Sequence, residues 1–114
     1  MRILTNRELL ELAAKAAGLN ISGLDEAFPA GGILIVDSDG NDFDWNPLED
    51  DGDCARLESA CYLYVEFHNI WVVVSSGLSS SSIREAYADH NGDRNAARRL
   101  ASVRAAAEIG KTMP

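Results

Sequence analysis

No apolar run in this chain approaches the roughly 18 to 20 residues that a membrane-spanning helix needs. The longest strongly apolar stretch, Ile70-Trp71-Val72-Val73-Val74, has the length of a strand. Met1-Arg2-Ile3-Leu4-Thr5 passes at once into Asn6-Arg7-Glu8, without a hydrophobic signal core or a cleavage pattern. The expectation is a cytoplasmic protein with no membrane partner. Basic residues are few, 10 Lys and Arg against 18 Asp and Glu, for a net charge of −8. Grasping a phosphate backbone takes clustered Lys and Arg, so direct nucleic-acid binding is not expected and a partner with a basic surface fits better.

Cysteine is equally sparse. Cys54 and Cys61 lie seven apart in a segment that reads as helix, which separates them by about 10 Å along the axis. A disulfide needs Cα atoms within about 7 Å, so the two are expected as small buried side chains. Neither they nor His68 and His90 stand at zinc-site spacing. The serines at 79–82 belong to no nucleophile motif. Gly31-Gly32 precedes a strand and lacks the Lys-Ser/Thr of a phosphate loop. No catalytic residue, metal or cofactor is therefore assigned, and the chain is read as a non-enzyme.

What is present suits one α+β domain over residues 1–114: apolar residues make up 46% and charged residues 25%. Thr5-Asn6-Arg7-Glu8 has the capping-box pattern. Leu9, Leu10, Leu12, Ala13, Ala16 and Ala17 follow at helical spacing, which predicts a helix over 5–17 stopped by Gly18. Residues 19–31 are mixed, with loop chemistry at Phe28-Pro29-Ala30-Gly31-Gly32. Ile33 to Val36 reads as a buried strand. Asp39-Gly40 signals a hairpin into a strand from Asn41 to Trp45, with Phe43 and Trp45 on one face.

Asn46-Pro47 ends that strand. Glu49, Asp50, Asp51 and Asp53 suit the positive end of a helix running to about residue 61, weakened by Gly52. Strands at Tyr62–Phe67 and Ile70–Ser75 are expected about a His68-Asn69 turn, then a flexible connection through the serine run. Ile83 to Tyr87 fits an edge strand better than the helix that Ser82-Ile83-Arg84-Glu85 would cap. Asp93 caps a last amphipathic helix ending at Gly110, with Arg98, Arg99 and Arg104 off its apolar stripe. Those arginines are expected to pair with the acidic midsection. The element order is α-β-β-α-β-β-(β)-α, and its simplest layering is one antiparallel sheet of four to five strands with helices mainly on one face.

Residues 25–68 carry one basic and twelve acidic groups, so the surplus negative charge sits in mid-chain. Within it, Asp37-Ser38-Asp39-Gly40-Asn41-Asp42-Phe43-Asp44 opens like a calcium loop. Asp42 and Leu48 occupy the positions where that loop needs Gly and Glu, so a solvated turn is expected. Both histidines read as ordinary solvated residues. Trp71 reads as core. Trp45, beside Asn-Pro, reads first as packing and second as a rim anchor for a partner. The candidate partner-binding set is Asp42, Asp44, Trp45, Glu49, Asp50, Asp51 and Asp53.

Three segments recur together in a known setting: Arg7-Glu8-Leu9-Leu10-Glu11-Leu12-Ala13-Ala14-Lys15-Ala16-Ala17-Gly18; Trp45-Asn46-Pro47-Leu48-Glu49-Asp50-Asp51-Gly52-Asp53-Cys54-Ala55-Arg56-Leu57; and Arg98-Arg99 with Val103-Arg104-Ala105-Ala106-Ala107-Glu108-Ile109-Gly110. In this order they resemble a family of short hypothetical proteins of bacteriophages and prophages of Gram-negative bacteria, over nearly the whole chain. The resemblance implies an intracellular phage accessory protein and no particular chemistry.

Three functions follow as expectations. The first is a non-catalytic binding module that meets a host or phage protein through residues 37–53, in its extreme form a DNA mimic. The second is a self-assembling small homo-oligomer, a homodimer for instance, joined through the alanine-rich helices or the 83–87 edge. The third is a metal-dependent enzyme using the aspartates.

Overall fold

A computed structural model describes residues 3–22, 32–77 and 79–114; the loop read at 28–31 lies outside them. Helix α1, Asn6–Ala16, starts as its sequence requires. Thr5 Oγ1 accepts the Glu8 N–H at 3.1 Å and Glu8 Oε1 accepts the Thr5 N–H at 2.9 Å, a closure worth about 1 kcal/mol. Gly18, at φ +75°, turns the chain out of the helix. The two-residue strand β1, Asn20–Ile21, follows and was not legible in the mixed segment. It pairs antiparallel with β2, Ile33–Val36, which pairs with β3, Asp42–Trp45. In the β2–β3 turn Asp37 Oδ1 accepts both the Asp39 and Asn41 N–H groups at 2.9 Å. The oxygen that suggested a calcium ligand is spent on the turn.

Helix α2, Asp51–Ala60, is capped by Asp50, whose Oδ2 accepts the Asp53 N–H at 2.7 Å. Then come β4, Leu63–Phe67, β5, Trp71–Ser76, and β6, Ser79–Ala86. A short 3-10 helix at Tyr87–His90 leads to α3, Arg94–Thr112, where Asp93 Oδ1 accepts from the Asn95 and Ala96 amides.

Four expectations change here. Among the described residues six strands form two antiparallel sheets, β1-β2-β3 and β4-β5-β6, not one. The serine run is not a free connection: β6 begins at Ser79 and Ser82 pairs with Ser75 across a bulge. Tyr87 leaves the strand for the 3-10 helix, where its hydroxyl donates to the His68 carbonyl at 2.8 Å. The register pairs Phe67 with Val72, and the His68 N–H donates to the Trp71 carbonyl, so the turn falls on Asn69-Ile70 rather than His68-Asn69.

Two sheets form because α3 carries two cores. Nineteen residues span about 28 Å. Ala97, Ala101 and Ala105 pack with Val72 and Val74 of the second sheet and Tyr87 of the 3-10 helix. Val103, Ala106 and Ile109 pack with Leu10, Ala13 and Ala14 of α1, Ile33, Ile35 and Trp45 of the first sheet, and Leu57 and Cys61. The buried positions of this helix, from Ala97 to Gly110, are spread over several of its sides, so it runs between the two cores.

The alanine-rich helices α1 and α3 meet each other, as their composition suggests. Gly110 does not end α3, which continues to Thr112. A Cβ at Gly110 would stand 2.2 Å from the Leu12 carbonyl oxygen. The glycine is there for close approach, so its role as a stop signal is overridden.

Gly110→Ala therefore sets about 1 kcal/mol of gained helix propensity against overpacking of about 1–3 kcal/mol on an unyielding backbone. A net loss of stability is expected in urea unfolding. Gly77→Ala, where a Cβ meets nothing within 4 Å, is expected to leave the midpoint nearly unchanged.

Candidate functional site

Strand alternation puts Asp42 and Asp44 on one face of β3 and Phe43 and Trp45 on the other. Asp44 rests over Gly32, where a Cβ would come within 2.5 Å of its Oδ1. Asn46-Pro47 then carries the chain across to α2. The Asn46 N–H donates to Asp53 Oδ2 at 3.0 Å, and Asn46 Oδ1 accepts the Leu48 N–H at 3.2 Å. These bonds fix the start of α2 against the end of β3. Asp44, Asn46, Glu49, Asp50 and Asp53 consequently line one open groove of about 630 Å³.

The seven expected residues divide by what already holds them. Asp53 is tied to Asn46 and to Arg56 Nη2, at 2.7 Å. Asp51 takes Arg99 Nη1 at 2.7 Å, while Arg99 Nε donates to the Leu48 carbonyl. Asp50 is spent on the cap and lies 3.9 Å from Arg56. Asp42, Asp44 and Glu49 are exposed and form no ion pair among the described residues. Trp45 is only 3% exposed and packs in the first core, so the rim position is corrected: its partner in the ladder is Ile33, on the inward face. Among the described residues no group of three or more His, Cys, Asp or Glu side chains is disposed to hold a metal ion.

The arginines of α3 pair inside the molecule. Arg98 grips Glu58 in a two-pronged contact, Nε to Oε2 at 2.8 Å and Nη2 to Oε1 at 2.6 Å. Ser102 Oγ donates to the same Oε2 at 2.6 Å and the Cys54 thiol lies 3.6 Å from it. Arg98 and Arg99 thus meet the acidic midsection as expected. Arg104 instead joins Glu85, which also bonds His90 Nε2 at 3.0 Å. His90 is therefore mostly buried and engaged, not solvated; His68 is exposed, as read.

Glu58 and Glu85 were the residues sequence reasoning passed over. The usable signal was helical spacing, with Cys54 four before Glu58 and Ser102 four after Arg98. Trp71 also departs from expectation. It sits half-buried on the outer face of the second sheet, with the Arg84 guanidinium 4.2 Å from its ring centroid.

Burial, and then the Glu58 charge, push the Cys54 thiol up to about 12; burial raises Cys61 as well. A thiol held protonated is no nucleophile at neutral pH. Arg98 is raised, first by its hydrogen bond to Glu58. Both cysteines are free and buried.

A second groove, of about 660 Å³, runs along α1 between Leu4 and Ile21. Its Glu8 belongs to the capping box and its Lys15 Nζ donates to the Met113 carbonyl. Comparison with protein families, curated protein sequences and solved structures finds no match to this chain. Among the described residues no helix is long and apolar enough to cross a membrane.

Two outcomes follow. Glu58→Gln leaves Arg98 with an uncompensated charge between α2 and α3, and a loss of about 3–5 kcal/mol is expected in chemical unfolding. The native Cys54 thiol keeps its proton up to about 12 while the unfolded thiol releases it near 9.0. This contribution is intact below pH 9 and is lost as pH rises toward 12, because the unfolded state binds fewer protons there. Stability measured between pH 8 and 11 is expected to fall with pH, and less steeply in Cys54→Ala.

Proposed function

We propose that this protein is a non-catalytic binding module that presents the groove between β3 and α2 to a basic protein surface. Asp42, Asp44 and Glu49 carry the reading. In a molecule that pairs Asp51, Asp53, Glu58 and Glu85 internally, these three carboxylates are left facing water. A complementary Lys- or Arg-rich surface would pair with them without breaking an existing ion pair among the described residues, and charge of one sign speeds encounter.

The DNA-mimic form is less favoured. Mimicry calls for carboxylates along an extended face, whereas Asp44, Glu49, Asp50 and Asp53 share one groove. The catalytic reading is weaker still, since the buried thiols and the engaged His90 are poorly placed to meet a substrate. In the phage or prophage setting that the resemblance implies, the target is a host or phage protein in the bacterial cytoplasm, and the chain acts as an accessory factor.

The test is affinity capture from bacterial lysate with the wild type and with Asp42→Asn/Asp44→Asn/Glu49→Gln, each identified by mass spectrometry. A partner that elutes with salt and drops out with the triple variant supports the proposal. Capture that is indifferent to both neutralisation and salt contradicts it.

A further inference from the structure

The second sheet has one face on α3 and one face outward. Val72, Val74, Leu63, Val65 and Ile83 turn toward α3. The alternate positions point away: Tyr64 and Glu66 on β4, Trp71 and Val73 on β5, Arg84 on β6. Tyr64 is 64% exposed and the Glu66 side chain 68%. An exposed Tyr and Arg beside a half-buried Trp have the composition of an interface centre.

The charges on this face have an order. Glu66 pairs with Val73 and Val73 with Arg84, so one row across the sheet reads negative, apolar, positive. Two symmetric ways of stacking the face on itself exist. A two-fold axis perpendicular to the strands lays Glu66 on Glu66 and Arg84 on Arg84, which repels. An axis parallel to the strands, over β5, lays Glu66 of each copy on Arg84 of the other. It sets Val73 on Val73 and brings the two Trp71 rings together. That arrangement is isologous and closes after two copies, and aligned sheet-on-sheet packing is an ordinary geometry.

We propose that the outward face of the second sheet is a self-complementary interface for a second copy of this chain, related by a two-fold axis parallel to the strands over β5. The occupant is fixed by the Glu66–Val73–Arg84 row. Within one copy Arg84 already lies over Trp71, and among the described residues Glu66 has only the exposed His68 as an ion-pair partner, at 3.7 Å. The guanidinium is thus pre-positioned, and Glu66 gains its strong partner only from the second copy. The terminal helices, one of the two places first expected for a dimer contact, are occupied with each other. The interface stands apart from the acidic groove and does not depend on its function.

Sedimentation equilibrium of the full chain tests this with Glu66→Lys, Arg84→Glu and the double swap. The wild type is expected to dimerise in the micromolar range. Each single reversal makes both cross-contacts repulsive and weakens dimerisation at least about tenfold. The swap restores it to within about threefold of wild type. Circular dichroism and the urea midpoint confirm that each variant folds, as expected for exposed positions. A wild type that stays monomeric near ~1 mM, single variants that dimerise as well as wild type, or a folded swap as weak as the singles would each overturn the proposal.

Discussion

Helix α3 packs against α1, α2, the 3-10 helix and all three strands of the second sheet, and the closeness of its contact with α1 sets the rest. At Gly110 the two backbones meet with no room for a methyl group. Alanines at 97, 101, 105, 106 and 107 keep the remainder of the helix thin, so neighbours can pack on several sides at once. A thinner helix than a leucine-rich one buries less area per residue. It allows two small sheets to share a single support, and each sheet alone is near the lower limit for independent stability.

The same helix anchors polar contacts. Glu58 is held by Arg98 and Ser102, and Glu85 by Arg104 and His90. Buried carboxylates gain little net stability against apolar replacements, but they penalise any packing that leaves them unpaired. Here they fix how α2 and β6 sit on α3. Arg98 and Arg104 of α3 are taken by Glu58 and Glu85, and Arg99 offsets Asp51 at the start of α2, so Asp42, Asp44 and Glu49 gain no cation from α3. The acidity of the groove is thus a consequence of how the core is wired.

Much of the local structure was legible. The Thr5–Glu8 box, the Ile33–Val36 strand, the Asp39-Gly40 turn and the Asp93 cap depend on neighbours within a few residues, and such chemistry shows in a sequence. What escaped depends on distant partners. Gly110 looks like a terminator until Leu12 is beside it. The serine run looks flexible until Ser75 offers it a ladder. His90 looks solvated until Glu85 is brought next to it. The two-sheet division turns on which alanines of one helix face which strands, and an alanine-rich stripe does not advertise its partner. For the groove, the carboxylates were found from charge alone, but which of them remain unpaired required the arginine geometry. Trp45 packs in the core, as its first reading had it; the second reading, a rim anchor, arose because its proline-adjacent position hides its ladder partner, Ile33.

If one helix supports both cores, the two sheets cannot unfold separately. Native-state hydrogen exchange reads this residue by residue. The amides of β2, of β5 and of α3 between Ala101 and Ala106 should exchange with one common free energy, equal to that of global unfolding. Amides of β2 that open at a clearly lower free energy than those of β5, with α3 still protected, would contradict the shared support.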